Sequence, residues 1–352
     1  MKVDYIIVGL GLAGIAVSNE LERHNRSFIV FENHSQNSSI VAGGMYNPVI
    51  LKRFTPVWDA EDQLKIALTF YQNLEQKLKQ TYHKPLDIYR IFKSIEEQNN
   101  WFAASDHKDL SKYFVTTVVK NENEGIMAPY GFGKLVHTGK IDTKNLISDY
   151  SNYLKNKDLI KCNSFNYNQI QIKPKGIVYE NITASKIIFC EGFGIKSNPF
   201  FNYLPLQEAK GELITMYAPK LKIDFLIKAA VFVMPLGDDL YKVGATFNWV
   251  DKTNKPTDDG KKELVEKLNS FIKVPYTIVD HSAGIRPTVK DRRPLVGVHP
   301  IYKNMAILNG LGTRGVMIAP KMAKKLYQLI ENEIQLENEI SINRFDSYLK
   351  EG

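Results

Sequence analysis

Apolar residues form short continuous runs near the start of the chain and switch to alternating or helical spacing further on. Residues 3–8 read as a buried strand, Gly9-Leu10-Gly11-Leu12-Ala13-Gly14 as a turn, the stretch to about His24 as a helix and residues 28–32 as a second strand. Between residues 58 and 82 the apolar positions Leu64, Ala67, Leu68, Tyr71, Leu74 and Leu78 recur at helical spacing with charges between them, which predicts a covering helix. Residues 142–154 predict another helix. Short strands are expected at 159–162, 169–172 and 177–179, and a fully apolar one at 186–190. Residues 212–217, 230–234 and 240–246 alternate as antiparallel strands do, with Gly237-Asp238-Asp239 as a turn signal. After a helix over 258–271, a strand at 305–308 runs into Gly310-Leu311-Gly312-Thr313-Arg314-Gly315 and then a helix to about Glu331.

Composition narrows the class. With 352 residues, 44% hydrophobic and 24% charged, the chain matches an ordinary soluble globular protein, and its length suggests two domains. The net charge of +8 favours polyanions or acidic small molecules, but it is spread along the chain, so a solvated surface outweighs a nucleic-acid footprint. The two cysteines, Cys162 and Cys190, lie in strand-like runs outside any Cys-x-x-Cys pair, which argues against a disulfide framework and for a reducing cytosol. The seven histidines have no metal-ligand spacing, and no metal is expected. The apolar run 5–17 has the length of a signal-peptide core, yet glycines at positions 9, 11 and 14 and a following strand that ends in an acid oppose that reading. No other stretch approaches the roughly 20 apolar residues of a spanning helix. A soluble cytoplasmic protein is expected.

The first strand-turn-helix-strand unit carries chemistry. Gly9 permits the tight turn, Gly11 lets backbone approach a pyrophosphate, and Gly14 lets the helix pack close to the sheet. The helix N-terminus offers free N–H groups and a positive dipole end to phosphates. Glu32 follows Gly14 by 18 residues at a strand end, where its carboxylate can accept hydrogen bonds from both hydroxyls of a ribose. The last element repeats this logic with Gly310, Gly312 and Gly315. A second positive helix end suits a cofactor whose redox ring lies far from its adenine, where it stabilises the anion formed on two-electron reduction, and that favours FAD over NAD.

Several ordered motifs extend the reading: Gly9-x-Gly11-x-x-Gly14 with Glu32, Ala42-Gly43-Gly44-Met45-Tyr46-Asn47-Pro48, Lys186 to Gly192, and Gln207 to Glu212. They continue with Ala283-Gly284-Ile285-Arg286-Pro287 through Gly297, and with Gly310 to Gly315. In order and spacing the chain resembles the FAD-dependent oxidoreductases of the D-amino acid oxidase, glycine oxidase and sarcosine oxidase type. The Leu311-Gly312-Thr313-Arg314-Gly315 stretch is also similar to the FAD domain of the bifunctional enzyme that modifies the wobble uridine of transfer RNA.

The resemblance implies an α/β architecture, a Rossmann-like FAD-binding domain from 1–48, 135–205 and 280–352, and an α+β substrate domain from 49–134 and 206–279 with a largely antiparallel sheet. It implies noncovalent FAD, since no cysteine lies in the C-terminal region, held by Gly9, Gly11, Gly14, Glu32, Asn33, Gly43, Gly44, Met45, Tyr167, Gly192, Gly310, Gly312, Thr313, Arg314 and Gly315. Tyr167 would meet the adenine through its backbone. Arg286 would pair with a substrate carboxylate, unless it forms an ion pair with nearby Asp291, and Arg314 is a second candidate catalytic residue.

The expected reaction is oxidation of the C–N bond of an amino acid or N-substituted glycine to an imine, with oxygen or another acceptor taking the electrons. Three alternatives stand beside it: a dehydrogenase feeding a quinone or protein, a transfer RNA modification oxidoreductase, and a flavin-binding protein without turnover. The sequence leaves substrate, acceptor and oligomeric state open. Lys52 and Arg53 either border the pocket or are solvated, Tyr46 and Tyr241 are pocket or core, His137 is a cap or packing residue, and Lys210 contacts flavin or points to solvent.

Overall fold

The computed structural model describes residues 1–349. Strand Lys2–Val8 runs parallel to Phe28–Phe31 on one side and to Ile182–Phe189 on the other. Around these grows an eight-stranded sheet, in which Ile160–Lys161 extends one edge and Met305–Asn309 pairs parallel with Ile182–Phe189. Gly176–Tyr179, Ile170–Lys173 and Leu295–Val298 add antiparallel pairings. The central strands are buried on both faces, which explains their unbroken apolar runs.

One face is covered by helices Leu12–Arg23, Thr143–Lys155 and Gly315–Asn332. Helix Ala60–Leu78 joins them: Leu64, Ala67, Tyr71 and Leu74 are buried in the same core, and the Tyr71 hydroxyl donates to the Val316 carbonyl at 2.9 Å. The expected substrate segment 49–134 contributes a helix that packs against Gly315–Asn332 and Thr143–Lys155, the helices that cover the first sheet. Its amphipathic stripe is satisfied there, with Glu61 and Asp62 in the first turn and Lys77 in the last complementing the helix dipole.

A second sheet has seven strands in the order Thr277–Arg286, Ala209–Tyr217, Leu240–Gly244, Phe232–Gly237, Leu226–Lys228, Ile88–Ile91 and Phe132–Leu135. All pairings are antiparallel except Leu226–Lys228 with Ile88–Ile91. Helix Asp258–Asn269 covers one face through Leu264 and Leu268, and Thr257 Oγ1 caps it by accepting from the Gly260 N–H at 3.1 Å. On the other face Leu213, Leu226, Phe232 and Met234 pack with Val41, Val49 and Leu51. Among the described residues no helix is long and apolar enough to cross a membrane.

Candidate active site

A cavity of about 740 Å³ runs between the two sheets, within the size range of small-molecule and cofactor sites. One end is lined by Gly9, Gly11, Glu32, Asn33 and Tyr167, and the middle by Gly43, Gly44, Met45 and Gly192. Gly312, Thr313, Arg314 and Gly315 line it from the last helix turn, and Arg286 from the second sheet. Gly14 and Gly310 are not on the lining. A Cβ on Gly14 would overlap the Gly9 carbonyl oxygen, so its role is close helix packing. Gly310, at φ +70°, sits against Val289 and Leu295 and shapes the turn from behind.

The walls fit a dinucleotide. Gly9 (φ +98°) turns the chain from strand to helix, and the first N–H groups of helix Leu12–Arg23 lie beyond any intrahelical acceptor. At Gly192 and Gly312 an added Cβ would meet nothing nearer than Pro287 at 4.0 Å and Thr288 at 3.7 Å, so a side chain there would take up groove space. Glu32 accepts from the backbone N–H groups of Leu10 and His34, which fixes its carboxylate at the end of its strand. These residues would hold a dinucleotide such as FAD.

Glu191 also lines the groove, although sequence reasoning assigned it no role. Its carboxylate accepts from the Tyr167 hydroxyl and from Asn198 Nδ2 at 2.7 Å, yet burial outweighs both donors and pushes it up to about 7 from 4.5. A carboxyl raised on folding contributes stability that is complete below its unfolded value and is lost as pH climbs to its folded one. The melting temperature of the cofactor-free protein, relative to that of Glu191→Gln, is expected to fall between about pH 4.5 and pH 7 and to level off above. A difference that does not change over that window would show that Glu191 titrates normally.

At the other end Arg286 projects from strand Thr277–Arg286 across its neighbour. The guanidinium lies over Gly211, where any Cβ would overlap it. Both of its Nη atoms donate to the Thr246 carbonyl, at 3.2 and 3.3 Å, and its Cζ stacks 4.3 Å from the Phe247 ring centroid. No carboxylate pairs with it among the described residues. Asp291, the alternative partner, binds Arg344 at 2.9 Å instead. Burial holds Arg286 down at about 10, which marks a desolvated cation facing a cavity. Arg314 is lowered by burial first and then by the fields of Arg292, Arg293 and Arg53.

The residues left open by sequence fall into place. Lys52 is exposed and lines the cavity, and Arg53 is exposed. Tyr46 and Tyr241 are core residues, Tyr46 bonding His83 Nε2 at 2.7 Å. His137 takes a left-handed turn at φ +58° and meets the Tyr113 ring edge-on. Lys210 corrects both expectations, because it neither lines the cavity nor reaches solvent. Its side chain is fully buried, and its ammonium binds Asp251 and the Lys255 carbonyl with Glu212 at 3.6 Å. A charge in that position is tolerable only with such partners, and the pairing ties down the loop that carries Thr246 and Phe247. Lys210→Met is expected to weaken carboxylate binding through that loop and to lower the melting temperature, and an unchanged KM and melting temperature would count against it.

A mixed sheet with parallel central strands and two glycine turns opening on one groove, with an acid at the second strand end, define a dinucleotide-binding protein. The chain belongs to the FAD dependent oxidoreductase family (DAO), which matches residues 4–329. It is 23% identical over 375 residues to the tRNA 5-methylaminomethyl-2-thiouridine biosynthesis bifunctional protein MnmC of Legionella pneumophila, covering 94% of this chain and 54% of that one. The chain thus spans about half the length of the curated relatives of that kind. To the glycine oxidase of Bacillus subtilis it is 22% identical over 373 residues, covering 95% of each. The crystal structure of glycine oxidase from Geobacillus kaustophilus superposes with a TM-score of 0.78 at 17% identity, covering 96% of this chain and 97% of that one.

Proposed function

We propose that the protein oxidises the C–N bond of an amino acid or N-substituted glycine, docking the substrate carboxylate on Arg286. The observation that carries this is a half-buried guanidinium with no acidic partner among the described residues, set in the same cavity as the glycine turns. A carboxylate there gains two charge-assisted hydrogen bonds from a planar fork already oriented by Thr246 and Phe247. Bound FAD would supply the two-electron acceptor for hydride from the carbon next to nitrogen, with oxygen as the final acceptor and hydrogen peroxide as its product. The chain's own part is to fix the carboxylate, aim the C–H bond at the ring and line the cavity with apolar residues such as Leu213 and Phe232. The imine is then hydrolysed by water.

Anaerobic addition of amino acids and N-methyl amino acids to the yellow holoprotein tests the reading. Bleaching by one of them supports it, and failure of every one to bleach a tightly bound flavin overturns it. Slow reoxidation of the bleached enzyme in air would assign a dehydrogenase in place of an oxidase.

A second reading is favoured by the arginines whose fields meet at Arg314, namely Arg53, Arg292 and Arg293, of which Arg293 also pairs with Glu339 at 2.9 Å. Such a cluster suits a phosphate backbone, and the amine would then belong to a modified nucleoside of transfer RNA. An RNA affinity that falls steeply with salt would support this reading, whereas binding no tighter than that of an unrelated basic protein would remove it.

A further inference from the structure

Arg286 is not the only unpaired cation facing the cavity. Lys228, at the end of the three-residue strand Leu226–Lys228, lines the same space. Its ammonium sits 5.5 Å from the Phe232 ring centroid and has no acceptor or acidic partner among the described residues. The nearest charges make its position worse. Arg90, on the neighbouring strand, donates to the Lys228 carbonyl and pairs its own charge with Glu97, and Arg286 lines the same cavity. Burial first and these two guanidinium groups next pull Lys228 down to about 8. The acids on the lining, Glu32 and Glu191, are placed by strands of the first sheet, beside the glycine turn and Tyr167.

We propose that Lys228 is a specificity-determining residue that binds a second acidic group of the substrate, so that the preferred amine carries two anionic groups, one on Arg286 and one on Lys228. The inference rests on the carboxylate reading of Arg286 given above. A substrate with a single carboxylate neutralises Arg286 and leaves Lys228 desolvated beside the cavity. A diacid neutralises both, and each cation then ceases to oppose the other. The two side chains come from strands separated in the second sheet by Ala209–Tyr217, Leu240–Gly244 and Phe232–Gly237, so the two acids must lie at opposite ends of a short chain. Lys228 is a point charge without a planar fork, and it accommodates a carboxylate or a phosphoryl group.

The test is calorimetric titration of the oxidised holoprotein with glutarate, 4-phosphonobutyrate and butyrate, none of which carries an amine to be oxidised. Glutarate or 4-phosphonobutyrate is expected to bind at least about tenfold tighter than butyrate, and the tighter of the two names the second group. In Lys228→Met the advantage disappears while butyrate affinity stays the same, and Lys228→Arg restores it. The advantage also shrinks as pH rises past about 8, where the ammonium loses its proton. Equal affinities for all three in the wild type, or an advantage that survives in a Lys228→Met protein with an unaltered flavin spectrum, would overturn the proposal.

Failure of the amine reading looks different. A Lys228-dependent advantage in a protein whose flavin no amine bleaches would keep the diacid site and discard the reaction. Bleaching by simple N-methyl amino acids without any diacid advantage would keep the reaction and discard the site.

Discussion

Arg286→Leu is expected to raise KM for a carboxylate substrate by roughly 10² to 10³-fold while leaving the flavin spectrum unchanged, because truncating one side of a buried charged pair costs several kcal/mol. The side chain gives its hydrogen bonds to a single carbonyl, that of Thr246, so its loss leaves no carboxylate stranded and the fold should persist. A second substitution separates charge from position. Gly211→Ala keeps the guanidinium but places a methyl group where it lies, so the arginine must move off its seat over Ala209–Tyr217. Both variants should therefore lose carboxylate affinity, Gly211→Ala through displacement alone. Steady-state kinetics on the substrate that bleaches the flavin decides it, and an unaltered KM in Arg286→Leu would remove this residue from the site.

Gly14→Ala should abolish cofactor loading, with the visible flavin absorbance relative to protein falling to background. The added Cβ would overlap the carbonyl oxygen of Gly9, which is backbone in a tight turn and cannot swing aside like a side chain. Moving the helix away from the strand also moves the N–H groups that face the phosphates. Gly11→Ala is the milder comparison, because its Cβ would meet the Ser39 hydroxyl at 3.1 Å, and that group can rotate. The Gly11 variant should fold and hold FAD more weakly, giving a graded pair. Normal flavin content in Gly14→Ala would refute the packing role.

The cofactor half of this picture was legible because its signals are local. Gly9, Gly11, Gly14 and Glu32 lie within one strand-turn-helix-strand unit, and the same is true of the turn before Gly315. Strands buried on both faces advertise themselves as apolar runs, and Ala60–Leu78 by its stripe. Helix Ile95–Ser105 gave no such period, since only Trp101 and Ser105 are buried in it. Its one sequence signal was Ser94 followed three residues later by Glu97, whose N–H donates to the serine hydroxyl at 3.2 Å.

Strand Thr277–Arg286 was equally silent, because it is the edge of its sheet and carries Asp280, His281 and Ser282. Lys228 could not be found at all without the fold. Its place depends on Leu226–Lys228 pairing with Ile88–Ile91, two short strands far apart in the chain. Lys210 stands in a strand whose partners are obvious, but the loop that supplies Asp251 is not.

The groove is closed by two segments about 300 residues apart in the chain. Gly9 to Ala13 form one wall and Gly312 to Met317 another, and Met305–Asn309 completes the sheet by pairing with Ile182–Phe189. A growing polypeptide therefore cannot assemble this site on the ribosome until residues beyond 317 have emerged, long after its first helix has formed. Until then Ile187 and Phe189 pair with Lys2–Val8 on one side only, so the nascent chain carries an unpaired apolar edge of the kind that chaperones shield. Supply of FAD cannot complete the site in a chain stalled before that point.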